Sequence, residues 1–313
     1  MARRHLDRFI SLEPRVLRGD NPDAVHDIRV ASRRLQQILD LLYPKPYPQK
    51  LRKLRRTIRR TRRALSAVRN YDVLLQRAER SLARNRLSRR EVWSFFRDDL
   101  AERRAARFQK AARKLGSLNL PGCFIRLRAQ LESAASQSPG AVTASPNGNP
   151  PERSADAAAF QSRMIAALRQ TWTAFEERLR QSQQEPSAAA LHAVRIAAKR
   201  LRYLIEAMAE MGVAGSKQAV DCLRQIQEQL GDWHDLEVME QAMLEMVASR
   251  QFLQDHLELA LGTERLVLHN RRLKKRYEEE FFRMVRDSTD WARLESWVHA
   301  VLEWRALPVQ QEA

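Results

Sequence analysis

Two blocks of sequence occur twice in this chain, in the same order and at nearly the same separation. Residues 25–35 (VHDIRVASRRL) align with 191–201 (LHAVRIAAKRL) at an offset of 166, and residues 65–73 (LSAVRNYDV) align with 230–238 (LGDWHDLEV) at an offset of 165. Two matches in the same order and at the same spacing indicate an internal duplication. The chain has 313 residues, so each copy is long enough to bury a core of its own.

Apolar residues recur at helical spacing along most of the chain, and no stretch shows the alternation of a strand. The helical pattern covers 25–42, 51–68, 88–115, 159–182, 187–211, 217–246, 252–284 and 289–306. Asn21-Pro22 is typical of a helix start, and the proline-rich segment 43–48 of a break. The sequence therefore predicts an all-α fold, a duplicated bundle of about ten helices.

The composition changes near the middle of the chain. Residues 132–158 are rich in Ser, Ala, Pro, Gly and Asn and contain few bulky apolar side chains. Such a segment cannot bury much surface, which is typical of a flexible linker. We therefore expect a first helical repeat at 1–131, a linker at 132–158, and a second repeat with additional C-terminal helices at 159–313.

Positive charge is concentrated in the first part of the chain. The 56 Lys and Arg residues outnumber the 38 Asp and Glu residues, for a net charge of +18. Residues 1–130 have 34 basic and 12 acidic side chains, a net +22, whereas the remainder has 22 and 26, a net −4. A first half this basic attracts polyanions such as nucleic acid, acidic lipid headgroups or polyphosphate.

Several classes of protein are disfavoured by what the sequence does not contain. No apolar run approaches the roughly 18 residues of a membrane span, so we expect no membrane association. The two cysteines, Cys123 and Cys222, are too few for a disulfide framework, which suits a reducing compartment. The chain is thus expected to be soluble and cytoplasmic.

The first repeated block places basic side chains along one ridge of a helix, opposite its apolar stripe. In the first copy the ridge consists of His26, Arg29 and Arg33, flanked by Arg34. In the second copy it consists of His192, Arg195, Lys199 and Tyr203, flanked by Arg200 and Arg202. Like charges at these spacings cost about 0.2–0.5 kcal/mol per pair, and bound phosphate reverses the sign. One charged face is ordinarily only solvated, but its recurrence in both copies favours an anion site.

A second basic ridge occurs in the segment 52–63. Arg52, Arg56, Arg59 and Arg63 share one side of a helix, beside the apolar residues that would face the core. The corresponding second-repeat residues are Lys217, Asp221, Arg224 and Glu228, a much weaker set. We therefore expect an asymmetric anion-binding face that is strongest on the first repeat.

The two motifs, His26-x-x-Arg-Val-x-x-Arg-Arg-Leu and His192-x-x-Arg-Ile-x-x-Lys-Arg-Leu, together resemble the CHAD family (conserved histidine α-helical domain) over most of the chain. The resemblance implies two helical bundles around a pseudo-twofold axis, with a basic central cleft that binds inorganic polyphosphate, in some members at polyphosphate granules. Carried over by position, it implies anion contacts from His26, Arg29, Arg33, Arg34, His192, Arg195, Lys199, Arg200, Arg202 and Tyr203. The first repeat departs from the family pattern at Ser66 and Asn70, where Gly and Asp are expected.

Three classes of function compete for this pattern. Non-catalytic binding of inorganic polyphosphate is the leading hypothesis, with the polyanion held on helix faces lined by Arg, Lys and His. Non-specific nucleic-acid binding is the alternative, although only 7% of residues are aromatic, and most of these fall in apolar patterns rather than as stacking platforms. An enzyme ranks third, because no phosphate-binding glycine loop or His-Glu-x-x-His motif is present. We expect no catalytic residue, no metal ligand and no cofactor.

Overall fold

The structure, a computed structural model, describes residues 1–43, 46–84, 87–136, 152–248 and 250–303. Within these ranges the chain forms twelve α-helices and no strand, which confirms the all-α prediction. The helices are α1 Ala2–Arg18, α2 Pro22–Leu42, α3 Gln49–Ala64, α4 Ser66–Arg84, α5 Leu87–Gly116, α6 Leu120–Ser136, α7 Glu152–Gln184, α8 Ala188–Glu210, α9 Ser216–Val247, α10 Arg250–Asp255, α11 Leu257–Asp287 and α12 Thr289–Glu303.

The two helices that contain the repeated motif begin in the same way. The Asn21 side chain accepts a hydrogen bond from the backbone N–H of Ala24 and caps α2, and Pro22 occupies the first helical position. The Ser187 side chain accepts from the backbone N–H of Ala190 and caps α8. These caps fix where each motif helix starts.

Helix packing repeats between the two halves. In the first half α1 packs on α2 and α4 on α5, and in the second half α7 packs on α8 and α9 on α11. The chain breaks at Leu65 between α3 and α4, whereas α9 runs continuously through the equivalent region. Helix α6 contacts α1 as α12 contacts α7. The duplication read from the sequence is therefore a duplication of five structural elements.

Three hydrophobic cores hold the molecule together. One lies within the first repeat around Phe9, and another lies mainly in the second repeat around Phe175 and includes Leu41 of α2. The third contains residues of both repeats, with Leu74 and Phe96 from α4 and α5 packed in the same cluster as Met243 from α9. Because α4, α5, α9 and α11 bury their apolar faces together, the repeats are joined through a shared core.

Both ends of the predicted linker 132–158 are helical. Helix α6 continues to Ser136 and α7 begins at Glu152, and the residues between them lie outside the described ranges. The predicted last helix, 289–306, is described as far as Glu303. None of the described helices combines the length and the apolar character that crossing a bilayer requires.

Candidate functional site

The basic ridges of α2 and α8 face each other across a cleft of about 230 Å³ between the two repeats. Five Lys and Arg side chains line this central cleft: Arg29, Arg33, Arg69, Arg195 and Lys199. Two histidines also line it, His26 at the exposed rim and His234 on α9. The central cleft is thus built by both copies of the motif.

The lining of the central cleft follows the internal duplication. Its equivalent pairs are Arg29 and Arg195, Arg33 and Lys199, Arg69 and His234, Asn70 and Asp235, and Val73 and Val238. Each pair has one member from each repeat, at the offset of 165 or 166 that separates the repeated blocks. The cleft therefore lies on the pseudo-twofold axis that relates the two halves.

Arg29 is tied into the first-repeat wall of the cleft. Its Nη1 donates hydrogen bonds of 2.7 Å both to the backbone carbonyl of Arg62 and to the hydroxyl of Ser66. Burial, followed by repulsion from Arg33, Arg62 and Arg69, lowers the pKa of Arg29 to about 10. Ser66, the departure from the family pattern, is thus an acceptor for a cleft arginine.

Arg195, the second-repeat equivalent of Arg29, has no such acceptor. Its Nε is buried and makes no hydrogen bond within the described part of the chain. The position equivalent to Ser66 is Gly231, which has no side chain to accept one. A buried guanidinium donor without a partner costs free energy, which a bound oxygen would recover.

The pKa values of Lys199 and His234, two lining residues of the second repeat, are strongly lowered. Burial, then repulsion from Arg195 and Arg33, lowers the pKa of Lys199 to about 6. Burial and the neighbouring Arg195 and His192 lower the pKa of His234 to about 3. The His192 ring lies 5.0 Å from that of His234, between ring centres, so His192 adjoins the cleft without lining it.

Asp235 is the one carboxylate among the described residues that line the cleft. Arg77 of α4 lies against it, with Nε 3.7 Å from Oδ2, and also pairs with Asp232. Burial raises the pKa of Asp235, while Arg77 and Arg195 oppose that rise. One carboxylate, already close to an arginine outside the lining, leaves the cleft strongly positive.

Three predicted anion contacts are engaged within the protein. Glu206, buried on α8, pairs with Arg34 at 3.1 Å and with Arg202 at 2.6 Å. Tyr203 is also buried, with 7% of its surface exposed, and its hydroxyl accepts a hydrogen bond from Arg33. These contacts join α2 to α8, so this part of the predicted ridge forms the interface between the repeats.

The other predicted residues lie on the surface. Arg200 is exposed, and so are the four residues of the α3 arginine face, Arg52, Arg56, Arg59 and Arg63. No described carboxylate lies within ion-pair distance of these five side chains. Arg62 lies between the cleft and the arginine face. Burial lowers its pKa to about 10, with further contributions from Arg33 of the cleft and from Arg59 and Arg63 of the arginine face.

A comparison with known families identifies the fold. The chain matches the CHAD domain family over residues 1–244. It belongs to the CHAD domain family. The structure is similar to the crystal structure of the CHAD domain from the plant Ricinus communis, with a TM-score of 0.57 over 98% of this chain and 90% of that chain. The identity of 22% makes this a likeness of fold. No curated protein matches the sequence.

The cleft of this CHAD domain includes residues that motif reasoning did not select. Arg69, Asn70, His234 and Asp235 all lie in the second repeated block, which the sequence analysis used as evidence of duplication. Because that block recurs together with the basic motif in both repeats, its residues could have been assigned to the same site from the sequence. Among the described residues, no group of three His, Cys, Asp or Glu side chains is placed to hold a metal ion.

Proposed function

We propose that this CHAD domain binds inorganic polyphosphate in the central cleft and along the α3 arginine face, without reacting with it. The observation that carries the proposal is the convergence of five Lys and Arg side chains from both repeats beside a single carboxylate. Such a cluster is repulsive when empty, and a chain of phosphates supplies negative charge at closely spaced positions.

The dimensions of the site suit a linear polyanion. The cleft volume of about 230 Å³ lies below the roughly 300–1,000 Å³ typical of pockets that enclose a small organic ligand. The arginine face continues from the cleft through Arg62, and no described carboxylate pairs with it. A long chain can therefore place a few phosphates in the cleft and others along α3, releasing counterions at each contact.

The lining of the cleft favours binding over hydrolysis. Metal-assisted phosphoryl transfer needs carboxylates that hold the ions beside the phosphate. Asp235 is the one described carboxylate there, and Arg77 lies against it. We therefore propose a non-catalytic role. We also propose a cytoplasmic location, with polyphosphate granules as the site of accumulation, which a fluorescently tagged chain can examine.

Competition binding tests the ligand. Labelled long-chain polyphosphate is displaced from the full chain by unlabelled polyphosphate, single-stranded RNA or duplex DNA at physiological salt. Polyphosphate should compete at least tenfold better than either nucleic acid per phosphate unit. Equal or better competition by RNA or DNA would overturn the proposal and favour a general polyanion surface.

Paired variants test the site. Arg195→Gln with Lys199→Gln removes two cleft cations, and Arg286→Gln with Arg293→Gln removes two exposed arginines that pair with Asp287 and Asp290. The cleft variant should lose more than tenfold in affinity, and the matched variant less than twofold. Equal losses would place the binding outside the central cleft.

A further inference from the structure

The two halves of the central cleft differ in a consistent way. At three equivalent positions the first repeat has a side chain of fixed charge state and the second a titratable one: Arg33 against Lys199, Arg69 against His234, and Asn70 against Asp235. Arginine stays protonated near neutral pH and asparagine is uncharged, whereas lysine, histidine and aspartate change charge when their environment shifts them. At these positions only the second-repeat half can exchange protons.

We propose that binding of a polyanion in the central cleft is coupled to proton uptake by the second-repeat half, with Lys199 as the principal proton acceptor. This inference rests on the proposed function and specifies how the same site is regulated. Acidification tightens binding and alkalinisation loosens it, so the affinity of the domain reports the local pH.

The surroundings of Lys199 carry the argument. It is partly buried, lines the cleft, and has no described carboxylate within ion-pair distance. Facing it are Arg195 and Arg202 on its own helix, Arg33 from α2 and Asp235 from α9. Burial disfavours the charged amine and three permanent cations oppose one carboxylate, so the amine in the empty cleft is largely neutral at pH 7, in keeping with its pKa of about 6.

A bound phosphate favours the charged form of Lys199, which the empty cleft disfavours. Each phosphate oxygen in the cleft offsets repulsion from Arg195 and Arg33 and accepts a hydrogen bond from the ammonium form. The pKa of Lys199 therefore rises on binding, and the amine takes a proton from solvent. Arg195 is a second donor for such a phosphate, because its buried Nε has no acceptor among the described residues, and a Cβ at Gly231 would meet no atom within 4 Å.

His234 is a second proton acceptor that becomes available at lower pH. It faces Arg195, Lys199 and His192 on α8, all of which favour its neutral form. Because its pKa in the empty cleft is about 3, a phosphate must raise it by several units before it is protonated near neutrality. Proton uptake by His234 is therefore expected mainly below pH 6.

The remaining titratable groups of the cleft contribute less. Burial raises the pKa of Asp235, and Asp232 on its own helix adds to the rise, while Arg77 from α4 and Arg195 and Lys199 from α8 oppose it. His26 lies at the exposed rim, where burial and then Arg69, Arg33 and Arg29 lower its pKa while Asp27 raises it. Its equivalent, His192, adjoins the cleft outside the lining.

Calorimetry measures how many protons the protein takes up when polyphosphate binds. The full chain is titrated with long-chain polyphosphate at pH 7 in two buffers of different ionisation enthalpy, and affinity is measured at pH 6, 7 and 8. One proton taken up changes the association constant by up to about tenfold per pH unit. The wild type should take up between about half a proton and one proton, and bind at least tenfold tighter at pH 6 than at pH 8.

Two variants isolate Lys199 from the titration of the ligand itself. Lys199→Arg restores the first-repeat residue and should lose this uptake, with an affinity at pH 8 close to that of the wild type at pH 6. Lys199→Met cannot be protonated and should be as weak at pH 6 as the wild type is at pH 8. The terminal phosphates of the ligand titrate near pH ~6 whichever protein is used, so their contribution to proton uptake cancels when the variants are compared with the wild type.

The outcomes separate this inference from the proposed function. Uptake present in the wild type and absent from both variants supports the coupling. Binding with equal uptake in all three proteins overturns the coupling and leaves polyphosphate binding in place. Absence of binding by the wild type at every pH overturns both, and a circular dichroism spectrum identifies any variant that has failed to fold.

Discussion

Arg33 of the first repeat donates a hydrogen bond from Nη1 to the Tyr203 hydroxyl of the second repeat, over 3.1 Å. The Arg33 guanidinium also lies 5.8 Å from the centre of the Tyr203 ring. The two residues belong to the basic ridges of α2 and α8, so the ridges meet where the helices cross. The motif therefore serves two purposes. In α2, Arg33 and Arg34 contact Tyr203 and Glu206 of α8, while Arg29 and Arg33 line the cleft.

Tyr203→Phe should weaken the contact between α2 and α8 and leave the charged residues of the cleft in place. The variant keeps the ring under Arg33 and removes one hydrogen bond to a charged donor, which is worth about 1 kcal/mol. Urea denaturation should show that loss, and polyphosphate affinity should fall less than in Arg33→Gln, which removes a cleft cation. An unchanged denaturation midpoint would mean that the hydroxyl contributes nothing to stability.

Glu206→Gln should weaken the fold and strengthen anion binding. Glu206 is buried and pairs with Arg34 and Arg202, so its neutralisation leaves two partly buried guanidinium groups uncompensated. We expect a loss of about 2 kcal/mol in unfolding free energy, less than for a fully buried pair because Arg34 is partly exposed. Polyphosphate affinity should rise, since both arginines then lack an internal carboxylate. A stable variant with unchanged affinity would contradict both parts.

The fold was largely predictable, because the spacing of apolar residues indicates the helices and the two repeated blocks of sequence indicate the duplication. The pattern at 217–246 corresponds to α9, Ser216–Val247, and that at 187–211 to α8, Ala188–Glu210. The pattern at 51–68 did not show the break at Leu65. Helix α1 was not selected, although Leu6, Phe9 and Val16 recur at helical spacing and are buried on one face.

The candidate site was less predictable. The spacing of apolar residues shows which face of a helix points away from the core of its own repeat, but it does not show which part of the protein packs against that face. The outward ridge of α8 faces the other repeat, so Tyr203 is buried rather than presented to solvent. The attachment of Arg29 to Ser66 depends on the angle between α2 and the α3–α4 junction. Neither fact follows from the spacing of residues within one helix.

The α3 arginine face should control the salt dependence of binding. Replacing Arg52, Arg56, Arg59 and Arg63 with Gln removes four exposed cations that have no partner among the described carboxylates. By analogy with single-stranded nucleic acids, the slope of log affinity against log salt should become shallower by up to about 3. Stability should stay equal or improve slightly, because like charges on one helix are removed.

A matched variant removes the same charge from elsewhere. Arg224, Arg283, Arg286 and Arg293 each pair with a carboxylate on or adjoining their own helix. Replacing these four with Gln should leave the salt slope unchanged to within about one contact. Equal changes in the two variants would show that binding responds to net charge alone.

Gly231→Ser should weaken polyphosphate binding without a cost in stability. A Cβ at Gly231 meets no atom within 4 Å, and serine is a better helix residue than glycine by a few tenths of a kcal/mol. The new hydroxyl would occupy the position of Ser66 and offer Arg195 an internal acceptor, as Ser66 does for Arg29. Gly231→Ala is the matched control, and an equal effect of both would exclude the hydroxyl as the cause.

The stability of the unliganded protein should rise with pH above neutrality because of Lys199. Its pKa is about 6 in the fold and about 10.5 in the unfolded chain, so between these values the unfolded state binds more protons. Stability therefore increases with pH across this window, by at most about 1.4 kcal/mol per pH unit. Denaturation by urea at pH 7 and pH 8.5 should show the rise in the wild type and a smaller one in Lys199→Met. Equal slopes would mean that Lys199 keeps its proton in the empty cleft, because a lysine that stays charged in both states adds no pH dependence.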